Sequence, residues 1–228
     1  MKLTSLTLYE QAILVLPSLI LYTSFALLAQ NRLLSLINIF AIQGALLTIT
    51  TVLVALVSHQ HHLYISALLA FVLKVLFIPW LLRQHVFRLN LHHEAETIEY
   101  PALILTGGVA LVIFSYYVAL PIEQLSTLVT RNTIAISMAN VLLSMLLIIA
   151  RRQAISQVVG FMAMENGLFF AALVSTYGMP MIVELGIAFD VLVAAVLFGV
   201  FFFHIRESLD TLDVDRMNRL TEVEKNLE

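Results

Sequence analysis

No cysteine occurs in the 228 residues, so neither a disulfide frame nor a thiolate-held metal cluster can form within this chain. Any redox centre must belong to a partner, and no cofactor of its own is expected. Charge is scarce as well. Only 12% of the residues are Asp, Glu, Lys or Arg, against 61% apolar and a mean hydropathy of +0.96, proportions far outside those of a soluble globular domain. A phosphate-cradling glycine loop, a nucleophile elbow, a Ser/His/Asp arrangement and any nucleic-acid module are all missing from the sequence. Independent catalysis and nucleic-acid binding therefore have no support.

What the chain does have is apolar blocks of roughly 20 residues, the length that crosses a hydrocarbon layer about 30 Å thick. They fall at Leu8 to Ala29, Leu33 to Val57, Leu63 to Leu82, Pro101 to Leu120, Ile134 to Ala150, Ile155 to Val174 and Ile182 to Phe203. Backbone groups in lipid must be paired within their own segment, and the alternation of barrel strands is absent, so each block reads as a helix. The expected fold is all-α: a polytopic transmembrane bundle of about seven helices over residues 1–203. It comprises three spans and a cytoplasmic loop (1–100), a connector span with an outer loop (101–133), and three further spans (134–203). The start, with Lys2 before a long apolar run and no small-residue cleavage site, reads as a retained first helix.

Counting basic residues gives the orientation. Arg32, Arg83, Arg88, Arg151, Arg152, Arg206, Arg216, Arg219 and Lys225 flank one side, and only Lys2 and Arg131 flank the other. With the basic side cytoplasmic, the N-terminus is outside and the C-terminus inside. Residues 204–228 form a charged tail with Leu209, Leu212, Met217, Leu220 and Leu227 close to one helical face. A cytoplasmic amphipathic helix is expected there. Its acids outnumber its bases and disfavour anionic lipid, so the cytoplasmic face of a partner is the preferred surface.

Ionisable groups inside spans cost about 2.5 to 3.5 kcal/mol each, so several together point to function. Glu165 lies in the sixth span, Asp190 in the seventh, Lys74 near the middle of the third, and Glu184 towards the outer end of the seventh. Asp190 shares a stripe with Gly186 and Ala194, and Lys74 shares one with Ala67 and Ala70, which places both charges among small residues that favour close helix contact. The functional reading is a proton relay: desolvation works against a charged carboxylate and a nearby lysine works for it, leaving a group able to load and release a proton. The plainer reading is a buried ion pair that fixes helix register. Asp190 and Glu184 are about 9 Å apart along the axis and about 120° around it, so transfer between them needs water. Gln43, Asn38 and Asn140 read as interhelical hydrogen-bonding groups. His59, His61 and His62, like His92 and His93, read as exposed loop polarity and not as metal ligands. Tyr9, Tyr22, Tyr64, Trp80 and Tyr100 read as headgroup-level anchors.

Met164-Glu165-Asn166-Gly167, Val183-Glu184-Leu185-Gly186-Ile187-Ala188-Phe189-Asp190 and Thr211-Leu212-Asp213-Val214 resemble the hydrogenase-4 component E family of small membrane proteins. Lys74-Val75-Leu76 with Pro79, the length and the charged tail extend the resemblance over essentially the whole chain. It implies a non-catalytic subunit of a group 4 membrane-bound nickel-iron hydrogenase, such as a formate hydrogenlyase, in the cytoplasmic (inner) membrane of a bacterium or archaeon. The implied partners are membrane lipid, antiporter-like subunits and the subunit anchoring the catalytic arm, with the nickel-iron and iron-sulfur centres only in partners. From Arg151 onward the chain also resembles the K-type small subunit of respiratory complex I, whose second and third spans each carry a buried glutamate. Here the first acid is displaced by nearly one turn, to Glu165, and aspartate replaces glutamate at Asp190; Glu184 has no counterpart. Spans one to three and five to seven would run in the same direction, so the two ends could be diverged copies, with Gln43 matching Glu165 and Lys74 near Asp190. The rival expectations are a component of a multisubunit cation/proton antiporter and a purely structural scaffold.

Overall fold

The computed structural model describes residues 8–58, 62–88, 100–121, 128–175, 186–197 and 199. Its elements are α1 (Leu8–Ala29), α2 (Leu33–Ser58), α3 (His62–Phe71), a π-helical turn (Val72–Phe77), α4 (Ile78–Arg88), α5 (Pro101–Ala119), α6 (Leu128–Ala150) and α7 (Ala154–Ser175). A further helical segment starts at Gly186. The chain divides into two compact units, Met1–Asp190 and Val191–Glu228. The described residues of the second, 191–197 and 199, are helical.

Among the described residues, five helices are long and apolar enough to cross a membrane: Leu33–Leu56, Leu63–Phe87, Pro101–Ala119, Thr133–Ala150 and Ala154–Leu173. The first and last expected spans correspond to shorter apolar stretches among the described residues, Val15–Ala29 and Gly186–Leu197. Two boundaries differ from expectation. Helix continues through Arg83–Arg88, and α6 starts at Leu128, although both stretches read as linkers. Hydropathy marks the thickness of hydrocarbon, whereas a helix carries its hydrogen bonds on into the polar headgroup layer. The amphipathic tail expected over 204–228 lies outside the described residues.

Two helical hairpins pack side by side. The first is α1 with α2 and the second is α6 with α7; α1 touches α6, and α2 touches α7. Their turns are joined by Arg151, which is 2% exposed and whose guanidinium donates to the carbonyls of Leu28 (3.4 Å) and Gln30. Those carbonyls end α1 without an intrahelical partner, so a cation there meets both the unpaired oxygens and the negative end of the helix dipole. Arg151 therefore does more than mark the basic side. In the helix interiors, Thr23, Ser24, Thr48, Thr51, Ser137 and Ser144 bond back to carbonyls three or four residues earlier, which satisfies their hydroxyls without water.

Between the hairpins, Ile20, Leu47, Leu63, Phe169, Phe170 and Leu173 form an apolar core. The third span passes alongside α2 as α3, the π turn and α4. Pro79 has no N–H to offer the carbonyl four residues before it, and the chain widens just ahead of it, with the Ile78 N–H reaching back five residues to the Leu73 carbonyl. Helix α5 lies against α6 and α1 through Gly108 and otherwise presents large apolar side chains outward, Tyr117 among them at 72% exposed. In water that surface would drive aggregation; in lipid it is ordinary.

Candidate ion-coupling site

Lys74 sits inside the π turn and is 1% exposed. It can lie this deep because α2 presents Gly44 at the same level: a Cβ on Gly44 would come within 3.1 Å of the Lys74 Cβ and 3.4 Å of its carbonyl oxygen. The small residues expected beside it, Ala67 and Ala70, are buried as well. From here the ammonium reaches across the bundle. It pairs with the Glu165 carboxylate on α7, donates to Asn166 Oδ1 at 2.8 Å, and lies 3.3 Å from Asp190 Oδ1 on the helical segment after Gly186.

Glu165 is 7% exposed and Asp190 is 1% exposed. Asp190 stands within electrostatic reach of both Lys74 and Glu165. Among the described residues its Oδ1 accepts no hydrogen bond; the approach of Lys74 at 3.3 Å is a charge contact. A single ammonium thus sits between two buried carboxyl groups. The Phe169 ring covers the ammonium at 5.2 Å from its centroid, a cation–π contact that stabilises the charge from a third direction. On its other side Glu165 faces an apolar cavity of about 320 Å³ walled by Phe161, Leu168, Phe169, Gly186 and Phe189.

Three of the four residues picked out in the sequence, Lys74, Glu165 and Asp190, are brought together; Glu184 lies outside the described residues. Gln43 and Asn140, expected as interhelical hydrogen-bonding groups, bond to one another at 3.2 Å, and Asn38 accepts from Arg83. No group of three metal-ligating side chains occurs among the described residues; His59 and His61 lie outside them. Two members of the site were missed by sequence reasoning. Asn166, beside Glu165, is the second oxygen on the lysine, and Ser24 closes the far end of the polar network by bonding to Asn140 and Gln43. The signal for Asn166 was its place one residue after an intramembrane acid; Ser24 gave none.

No protein-family model matches the chain, and no solved structure matches it. Among curated proteins, hydrogenase-4 component E of Escherichia coli K12 is 24% identical over 151 residues, covering 66% of this chain and 70% of that protein. The hydrogenase-4 component E of Shigella flexneri gives the same figures. "Uncharacterized protein Rv0085" of Mycobacterium tuberculosis is 30% identical over 189 residues, 82% of this chain and 85% of that one. Homology to hydrogenase-4 component E over two thirds of the chain, with several membrane-length apolar helices, makes this a multi-pass membrane protein. Since the similarity to the mycobacterial protein extends over most of both chains, this chain belongs to one family with Rv0085, with hydrogenase-4 component E as a more distant homologue.

Proposed function

We propose that the chain is a non-catalytic membrane subunit of a hydrogenase-4-like, redox-driven complex, and that Lys74, Glu165 and Asp190 are an ion-loading site on its translocation path. The observation that carries this reading is the charge count. One ammonium faces two carboxyls, so with all three ionised the site holds an uncompensated negative charge in a membrane interior. Such a charge is costly there, and a proton taken up by one carboxyl removes it. A site with one more acid than base therefore has a place for one exchangeable cation, a proton or in its stead a sodium ion.

In this reading Lys74 is the fixed counter-charge and Glu165 and Asp190 are the carriers. Glu184, six residues before Asp190 in the sequence, would be the next station, reached through water. The resemblance of the half from Arg151 onward to the K-type subunit of complex I supports the same picture, because it implies two buried acids on successive spans. The nickel-iron and iron-sulfur centres belong to partner subunits, and antiporter-like subunits and the anchor of the catalytic arm are the neighbours. The expected location is the bacterial or archaeal cytoplasmic membrane, with the C-terminus inside.

The test uses the native complex in proteoliposomes, with hydrogenase turnover and ion movement recorded together. Glu165→Gln, which keeps the shape and removes the titrating oxygen, is expected to lower the number of ions moved per electron pair. An unchanged ratio would sink the ion-loading role. Purification of the native complex names its redox module; antiporter subunits without one would favour a cation/proton antiporter instead.

A further inference from the structure

We infer that Asn166 and Gln43 are positioning residues of this site: with Asn140 and Ser24 they form a one-way donor chain that holds the Lys74 ammonium between Glu165 and Asp190. The inference rests on the ion-loading reading above and adds residues that touch neither carboxyl in that role. Starting from the lysine, Lys74 donates to Asn166 Oδ1 at 2.8 Å, and Asn166 Nδ2 donates to Gln43 Oε1 at 3.3 Å. Gln43 Nε2 then donates to Ser24 Oγ at 3.0 Å and to Asn140 Oδ1 at 3.2 Å. Ser24 donates its O–H to Asn140 Oδ1 or to the Ile20 carbonyl, and Asn140 Nδ2 ends the chain on the Ala163 carbonyl at 3.4 Å. Gln43 and Asn140 are fully buried, and Asn166 and Ser24 nearly so.

Both ends dictate the same direction. An ammonium can only donate, and the backbone carbonyls of Ile20 and Ala163 can only accept, so each amide between them has one workable orientation, with its oxygen towards the lysine. The dipoles therefore line up with their negative ends on the cation, and hydrogen bonds in such a row strengthen one another in a low dielectric. Lys74 has three N–H groups and three oxygens around it, one each from Glu165, Asn166 and Asp190. A neutral amine would still offer an N–H to Asn166, so what the row of aligned dipoles favours is the positive charge itself. The chain thus stabilises the ammonium in the position where it faces both carboxyls.

Ordinary interhelical hydrogen bonding would need no common direction, and the experiment separates the two. Gln43→Met keeps the length and volume but breaks the chain two bonds from Lys74. Gln43→Glu, when protonated, keeps an oxygen for Asn166 and one O–H for Asn140 or Ser24. Two readouts are taken: ions moved per electron pair in the native complex, and the infrared carboxyl C=O band of the purified full chain at one pH, assigned with Glu165→Gln and Asp190→Asn. Gln43→Met is expected to lower the ratio about threefold or more and to move the carboxyl band, with Gln43→Glu, which adds a carboxyl band of its own, close to the parent in the ratio. The inference is overturned if Gln43→Met leaves both readouts unmoved, or if Gln43→Glu is as impaired as Gln43→Met. Loss of coupling in Glu165→Gln alongside a silent Gln43→Met rejects the donor chain alone. A silent Glu165→Gln rejects the ion-loading reading and this inference with it.

Discussion

Asp190→Asn and Lys74→Met remove opposite members of one ion pair, yet their costs to stability should differ by several-fold. After Asp190→Asn, Lys74 still pairs with Glu165 and donates to Asn166, and the new amide oxygen can occupy the place of Oδ1 at 3.3 Å. One ammonium then matches one carboxylate, so the change should fall within about 1 kcal/mol of neutral, since the surplus charge is the one removed. Lys74→Met leaves two carboxyls with no cation and strips Asn166 Oδ1 of its 2.8 Å donor. Breaking a buried pair from that side costs about 3 to 5 kcal/mol, reduced to the extent that the carboxyls take up protons. The double variant Lys74→Met/Asp190→Asn should recover part of that loss and still fail to couple ion movement, whereas a scaffold would regain both. Unfolding of the full chain by SDS titration in mixed micelles resolves differences of this size, and the ratio of ions to electrons in the complex gives the second readout. If Asp190→Asn proves as destabilising as Lys74→Met, Asp190 is a structural partner and the charge-count argument is wrong.

Arg151→Leu should cost about 2 to 3 kcal/mol in the same titration, because two carbonyls at the end of α1 lose a buried charged donor; a change under about 0.5 kcal/mol would mean that water replaces the guanidinium there. The chain has no cysteine, so a single introduced one reports a single site. An impermeant maleimide should label Arg152→Cys only from the cytoplasmic side and Ser58→Cys only from the outside; the reverse pattern would invert the orientation drawn from the basic residues.

The spans were legible because lipid demands apolar blocks of a fixed length, and Leu8–Ala29 and Leu33–Ser58 match their expected limits to within a residue. The ends at Arg88 and Leu128 were not, because a helix continues where hydropathy no longer requires it. The ionisable residues were legible for the same energetic reason: a lysine in Leu63–Phe87 and a glutamate in Ala154–Leu173 are conspicuous against their surroundings. Their meeting was not. It depends on the relative rotation and depth of three helices, and the π turn that carries Lys74 changes its rotation without any mark in the sequence except Pro79. Asn166 was overlooked because an amide in a span is unremarkable until its partner is known.

The pattern of bonds also says why the first three helices are needed at all. Ser24 meets Asn140, Gln43 meets Asn140 and Asn166, and Lys74 meets Asn166, Glu165 and Asp190; of the side-chain bonds in the network, only that between Gln43 and Ser24 stays within one half. Both carboxyls come from the half after Arg151, and the cation and its nearest covering glycine come from the half before Tyr100. Separated in a membrane, the later helices would hold two acids without a counter-charge, and the earlier ones a lysine without an acceptor. Each half would then bear the insertion cost that their contact removes. The site is therefore a property of the interface between the earlier and the later helices, and what holds α1 against α6 and α2 against α7 also helps to bring Lys74 to Glu165 and Asp190.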